Sequence, residues 1–171
     1  MNKRLTMTML LASALAMSAC AKKAPQILPP DPGGTPGQSS SSGGDSSAPV
    51  PGSQADFAAQ MMGQDTILFD TDRYNIDATD QTALAAQAQW LQRYPAKRVT
   101  IEGHADERGT REYNLALGER RANAAKNYLI SLGIDAGRLT TVSHGKEKPV
   151  ALGSDEASWA QNRRAVTVTI D

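Results

Sequence analysis

The sequence predicts an α+β domain: one mixed four-stranded sheet with helices packed on one face, in the order β-α-β-α-β-(α)-β. Three observations carry this. Val99-Thr100-Ile101-Glu102 and the run from Ala165 to Ile170 alternate apolar and polar residues, as half-buried strands do. Two longer stretches place apolar residues at helical spacing. These elements alternate over about 115 residues, a pattern that fits a single helix-covered sheet.

Taken in order, Thr66-Ile67-Leu68-Phe69 is a short strand before the turn-like Asp70-Thr71-Asp72. Asp77 opens a helix with an acidic first turn, and Leu84, Ala88 and Leu91 share one of its faces. Pro95 ends it at Tyr94. The Val99–Glu102 strand leads through a loop holding Asp106 and Gly109 into a second long helix. That helix runs from about Glu112 to Leu132 and is closed by Gly133. Leu139 to Ser143 is a third strand, Ser154 caps a short helix to Asn162, and Ala165 to Ile170 is the last strand. The folded domain spans 56–171.

The segments before the domain carry different information. Lys3 and Arg4 precede an apolar run from Leu5 to Ala16, too short to span a bilayer, which needs roughly 20 apolar residues. Its flanks are those of a secretory signal covering 1–19. Cys20, the sole cysteine, excludes an intrachain disulfide. Residues 20–55 hold a Pro/Gly/Ser-rich stretch, in which 20 of the 30 residues from Ala24 to Ser53 are of these three types. So little apolar surface predicts a disordered tether, with a root-mean-square reach of roughly 30 Å. Basic and acidic residues balance at 18 each and the pI is about 6.7, which disfavours nucleic acid as a partner.

GHADERGTREYNLALGERRA, from Gly103 to Ala122, concentrates the charge. On a helical wheel Asn114, Gly118, Ala125, Leu129 and Leu132 form the inward stripe. Arg121 falls inside it and Arg120 outside, toward solvent. An inward guanidinium needs a partner. That partner is either a structural carboxylate, Asp106 or Glu102, or the carboxylate of a ligand, which arginine grips with two parallel hydrogen bonds. Asp106 follows the strand that ends near Gly103, at the carboxyl end where open sheets bind ligands. Asp106 and Arg121 together would clamp a zwitterion, one taking its ammonium and the other its carboxylate.

Other chemistries fit less well. Glu102, His104 and Asp106 alternate, but no HExxH or CxxC accompanies them and His144 is the only other histidine, so no metal or cofactor is expected. There is no GxSxG and no catalytic cysteine candidate, and nothing sets a catalytic separation between Asp106 and Glu107. An enzyme is not expected.

The same residues resemble the peptidoglycan-binding signature of OmpA-like domains, roughly Asn-x-x-Leu-Ser-x-x-Arg-Ala-x-x-Val-x-x-x-Leu. Here it reads Asn114, Leu117-Gly118, Arg121-Ala122, Ala125 and Leu129, with Gly118 and Ala125 in place of Ser and Val. FDTDRYNI, SHGKEKP and NRRAV look like the lipid-anchored branch of that family. Met17-Ser18-Ala19-Cys20 resembles a lipobox, with Met where Leu is usual, and Ala21 in place of Asp favours the outer membrane.

The resemblance implies an OmpA-like sandwich and lipidation of Cys20. It also implies non-covalent binding of diaminopimelate in the peptidoglycan stem peptide. The family's key Asp and Arg fall on Asp106 and Arg121, and Asp72, Tyr74, Arg108, Asn114 and Leu117 match positions that line the pocket. It further implies the periplasmic propeller protein TolB as partner, other OmpA-like or Tol proteins, and a role in drawing the outer membrane inward at division. An OmpA-like lipoprotein of a secretion or efflux assembly is the alternative.

Overall fold

The computed structural model describes residues 48–170, so Cys20, the signal segment and most of the expected tether lie outside the described residues. The sheet is mixed, four-stranded and ordered β1-β4-β2-β3, from β1 (Thr66–Leu68), β2 (Arg98–His104), β3 (Leu139–Gly145) and β4 (Arg164–Ile170). β4 runs antiparallel to both β1 and β2, and β2 and β3 are parallel. The parallel pair needs a crossover, which α3 (Arg111–Ser131) supplies.

One sheet face carries Ile67, Val99, Ile101, Ala165, Thr167 and Leu139, all buried. The core continues into α1 (Gln54–Met61) through Phe57 and into α2 (Ala78–Arg93) through Leu84, Trp90 and Leu91. It reaches α3 through Ala122, Ala125 and Leu129. Each fully buried leucine here contributes roughly 1.5–3 kcal/mol relative to exposure. Leu68, Val142 and Ile170 alternate with the core positions and stay exposed. The helices therefore cover a single face, as the alternation predicts.

Glycines set how closely α3 lies on β2. A Cβ on Gly103 would overlap the Gly118 carbonyl oxygen, and one on Gly118 would meet the Gly103 oxygen at 2.8 Å. Gly118 therefore stands where the close approach leaves no room for even a serine side chain. This contact brings Arg121, one turn further along, over the carboxyl end of β2.

Most expected boundaries hold within a residue or two. Asp77 caps α2 in a reciprocal box with Asp80, and Tyr94 ends it before Pro95. Three details differ. The α4 helix (Glu156–Asn162) is capped by Asp155, whose carboxylate accepts from the Ser158 amide at 2.9 Å; Ser154 lies one residue too early. β2 and β3 run further than their alternation shows, to His104 and Gly145.

The third difference is α1, which the composition does not reveal. Ser53 caps it, and Asp56 accepts hydrogen bonds from the Gly52 amide, Gln60 and the Trp90 indole. Gln54 Oε1 accepts from both the amide and the hydroxyl of Thr169. Regular structure thus starts inside the Ser/Gly-rich end of the expected tether. Only Phe57 and Met61 mark its buried stripe, too few to signal a helix.

Candidate ligand-binding pocket

β2 ends at a register shift between Gly103 and His104, and the chain then turns outward. The loop 105–110 is fixed from several sides. The Ala105 amide donates to the Gly145 carbonyl, and the buried Asn114 donates to the Arg108 carbonyl at 2.7 Å. Lys146 Nζ donates to the carbonyls of Glu107 and Gly109, and Gly109 takes a positive φ of 85°. Thr110 then caps α3 by accepting from the Tyr113 amide.

These constraints enclose a cavity of about 250 Å³ lined by Thr71, Asp72, Asp106, Arg108, Gly109, Tyr113, Asn114, Leu117 and Arg121. Six residues expected from the sequence meet here: Asp72, Asp106, Arg108, Asn114, Leu117 and Arg121. Tyr74 does not. It lies on a neighbouring groove, with the Arg120 guanidinium 6.0 Å from its ring centroid. Asp72, two residues earlier with a φ of 56°, turns the chain there.

Thr71 and Tyr113 were not legible as pocket residues. Tyr113 OH donates to Asp72 at 3.0 Å, a link between segments 41 residues apart that helical spacing alone does not show. That bond pushes the Tyr113 hydroxyl above its ordinary pKa.

Arg121 is fully buried, yet among the described residues no carboxylate holds it. Its Nε, Nη1 and Nη2 donate to the main-chain carbonyls of Arg73, His104 and Asp70 at 2.9, 2.8 and 3.1 Å. Three of the five guanidinium N–H groups are thereby used. A structural salt bridge to Asp106 or Glu102 is not what forms. Burial lowers the Arg121 pKa to about 10, opposed by the nearby charges of Asp106 and Asp72, so it stays charged at neutral pH.

Asp106 is engaged by other arginines. Arg108 reaches both of its carboxylate oxygens, at 2.6 Å from Nη2 and 3.2 Å from Nε, and its amide adds a bond at 3.1 Å. Arg163, itself held by the Phe69 carbonyl and Glu156, stands 3.5 Å from Asp106. Burial raises the Asp106 pKa, but these bonds and the Arg108 charge outweigh it and hold the carboxyl below its usual value. Arg108 is half-exposed, stacks 4.3 Å from the Trp159 ring centre and also donates to Thr71. The cavity therefore holds two carboxylates and two guanidiniums, and one of those guanidiniums has no acidic partner.

His104 and Glu102 share the opposite side of β2. Glu102 lies 3.2 Å from His144 and 3.8 Å from His104, while Asp106 is turned away into the pocket. The three alternating residues therefore do not converge. Among the described residues no group of three metal-ligating side chains forms.

A family model described as the OmpA family matches residues 68–163. A peptidoglycan-associated lipoprotein of Rhizobium meliloti is 52% identical over 92% of this chain and 84% of that protein. One of Agrobacterium fabrum is 54% identical over 91% and 82%. The crystal structure of the peptidoglycan-associated lipoprotein from Burkholderia pseudomallei is 50% identical with a TM-score of 0.60, covering 61% of this chain and 89% of that one. The C-terminal domain of Helicobacter pylori MotB shares the fold at 18% identity and a TM-score of 0.58, over 62% and 84% of the two chains. The chain belongs to the OmpA family, in the branch of the peptidoglycan-associated lipoproteins.

Proposed function

We propose that the chain binds peptidoglycan non-covalently through the diaminopimelate of the stem peptide, and that no bond is made or broken. The observation that carries this is Arg121: a buried guanidinium on a pocket floor with two N–H groups to spare, beside Asp72 and Asp106 but bonded to neither. The free end of diaminopimelate is a zwitterion. Its carboxylate takes the spare Arg121 donors and its ammonium goes to Asp106. Charge-assisted pairs of this kind are worth about twice a neutral hydrogen bond.

Arg108 pairs with Asp106, so in this reading it acts as a latch. To admit the ammonium it releases the carboxylate and keeps its stacking on Trp159. The exchange swaps one cation for another and leaves Asp106 paired throughout, which avoids a buried unpaired charge.

In the same reading, lipid on Cys20 holds the chain to the outer membrane with its domain in the periplasm, and the stretch between Cys20 and the start of α1 spans the gap to the wall. A multiply acylated cysteine suffices for stable anchoring. The relatives' name, peptidoglycan-associated lipoprotein, supports the lipid anchor and the contact with the wall. Membership of the Tol–Pal system, docking of TolB near the pocket and a part in outer-membrane constriction at division complete the reading and rest on the motif resemblance alone.

Co-sedimentation with purified sacculi tests the reading. Wild type is expected in the pellet and Asp106→Asn in the supernatant. Equal pelleting of both would refute the clamp, and release of soluble glycan or peptide would refute a non-catalytic role.

A further inference from the structure

His104 is a buried polar group that the pocket does not use. It is 2% exposed, and neither ring nitrogen has a hydrogen-bond partner among the described residues. Native structures leave few such groups. Its burial is also out of keeping with its surroundings. On the same sheet face the Glu102 side chain is 29% exposed and Val142 is 39% exposed. The loop after β3 supplies the cover. Arg164, at the start of β4, donates to the Lys148 carbonyl at 3.2 Å. β2 lies between β3 and β4, so a loop that leaves β3 and reaches Arg164 crosses the end of β2, over His104.

Four titratable or charged groups face the imidazole. The His144 ring on β3 lies 5.1 Å away between centres. Arg164 on β4 is itself buried. Lys148 in the loop reaches His144 Nε2 at 3.4 Å. Glu102 on β2 is nearer His144 than His104, at 3.2 Å against 3.8 Å. Burial first, then Arg164, His144 and Lys148, oppose a proton on His104. The Lys148 carbonyl also faces the ring but is spent on Arg164.

The cover is held lightly. None of residues 146–149 belongs to the hydrophobic core, and 147–149 are exposed. Gly145, at a φ of 52°, bounds it on one side. On the other, the Asn162 side chain accepts from the amides of Val150 and Ala151. Between these ends Lys146 Nζ holds the carbonyls of Glu107 and Gly109, so the same loop steadies the pocket. Segments tied by a few polar contacts open at lower cost than a whole domain.

We infer that 146–149 is a proton-gated flap: protonation of His104 opens it while the sheet and helices stay folded, and the opening frees the pocket loop from Lys146. Under the closed flap an imidazolium has two N–H donors and no acceptor to spare. Water satisfies both once the flap lifts. The open form therefore takes up a proton near the ordinary value of about 6.5, the closed form refuses it, and opening is favoured as pH falls. Opening stays the minor state at mildly acid pH, which keeps the equilibrium affinity of the pocket flat there.

Amide hydrogen exchange of the full chain tests the flap without any ligand, so it stands or falls apart from the diaminopimelate reading. The reporter is the Glu147 amide, which donates to the His144 carbonyl at 3.0 Å inside the flap. Corrected for the intrinsic pH dependence of exchange, its protection is expected to fall about tenfold from pH 7.5 to 5.5, as one group of pKa about 6.5 in the open form requires. Urea below the unfolding transition should leave that rate unchanged while it speeds exchange of the buried α2 amides, because flap opening exposes little surface. His104→Gln should make the Glu147 rate independent of pH, and His144→Gln should keep the tenfold change. Protection that does not change with pH in wild type overturns the flap. So does a Glu147 rate that follows urea as α2 does, which means that only global unfolding opens the loop; this comparison needs no variant to fold. A pH response that survives in His104→Gln also overturns it.

Discussion

Arg121 and Arg138 make the same kind of contact in two different places. Each guanidinium is held by three main-chain carbonyls: Arg73, His104 and Asp70 for Arg121, and Lys97, Leu91 and Tyr94 for Arg138. Arg138 caps the carboxyl end of α2 and the turn after it, where a cation is favoured by the helix dipole. Arg138 is not among the residues that line the pocket at the end of β2. Arg121 floors a cavity that also holds Asp72 and Asp106. Satisfying an arginine with carbonyls therefore does not separate a structural residue from a binding one. The carbonyls hold the side chain still; the neighbouring cavity and its charges decide whether the spare donors have a use.

The sharpest way to break this comparison is Arg121→Lys. It keeps the charge but loses the fork, so affinity for a diaminopimelate peptide should fall about 100-fold, roughly 3 kcal/mol. Calorimetry on the variant checks this, and a loss under threefold would make Arg121 a structural twin of Arg138. Arg138→Ala is the mirror experiment. It strands three carbonyls and should cost about 1–3 kcal/mol in denaturant unfolding, with ligand affinity unchanged. A drop in affinity there would erase the distinction.

Acid separates fold from site in another way. Burial is the main cause that lowers His104 to a pKa of about 3, with the charges of Arg164, His144 and Lys148 acting the same way. The unfolded chain binds that proton near 6.5 and the folded one does not. Stability is therefore full above about pH 6.5 and is lost as pH falls toward 3, by on the order of 2 kcal/mol at pH 5. Asp106, held below its usual value, stays ionised in this window, so ligand affinity of the folded protein should be flat from about pH 5 to 8. Unfolding curves and titrations at matched pH check both halves. An affinity that tracks a pKa near 6 would tie the histidines to the pocket.

The smallest effect is expected from Arg108→Gln. Removing the cation that competes for Asp106 should tighten binding about threefold. Weaker binding would show that Arg108 holds the ligand rather than the latch.

The inward placement of Arg121 and the outward placement of Arg120 followed from helical geometry alone, because α3 is long and its stripe regular. The sheet followed from alternation in β2 and β4. Four features had no local signature. Arg121's real partners are carbonyls, which every residue carries, so no pattern distinguishes those of Asp70, Arg73 and His104. Tyr74 sits two residues from Asp72, yet after the left-handed turn at Asp72 it falls outside the pocket that Asp72 lines. Tyr113 reaches the pocket only because its hydroxyl meets Asp72 across the fold. The α1 helix was hidden by its surroundings, since its anchors are Trp90 and Thr169, far along the chain.

The central claim is a clamp for a zwitterion. The most direct test is calorimetric titration of the full chain with a diaminopimelate stem peptide, beside the same peptide carrying lysine, which lacks the second carboxylate. The account predicts binding of the first and a loss of about 100-fold or more for the second, because Arg121 then has nothing to grip. Equal affinity for the two peptides would contradict it and leave Arg121 with a purely structural task.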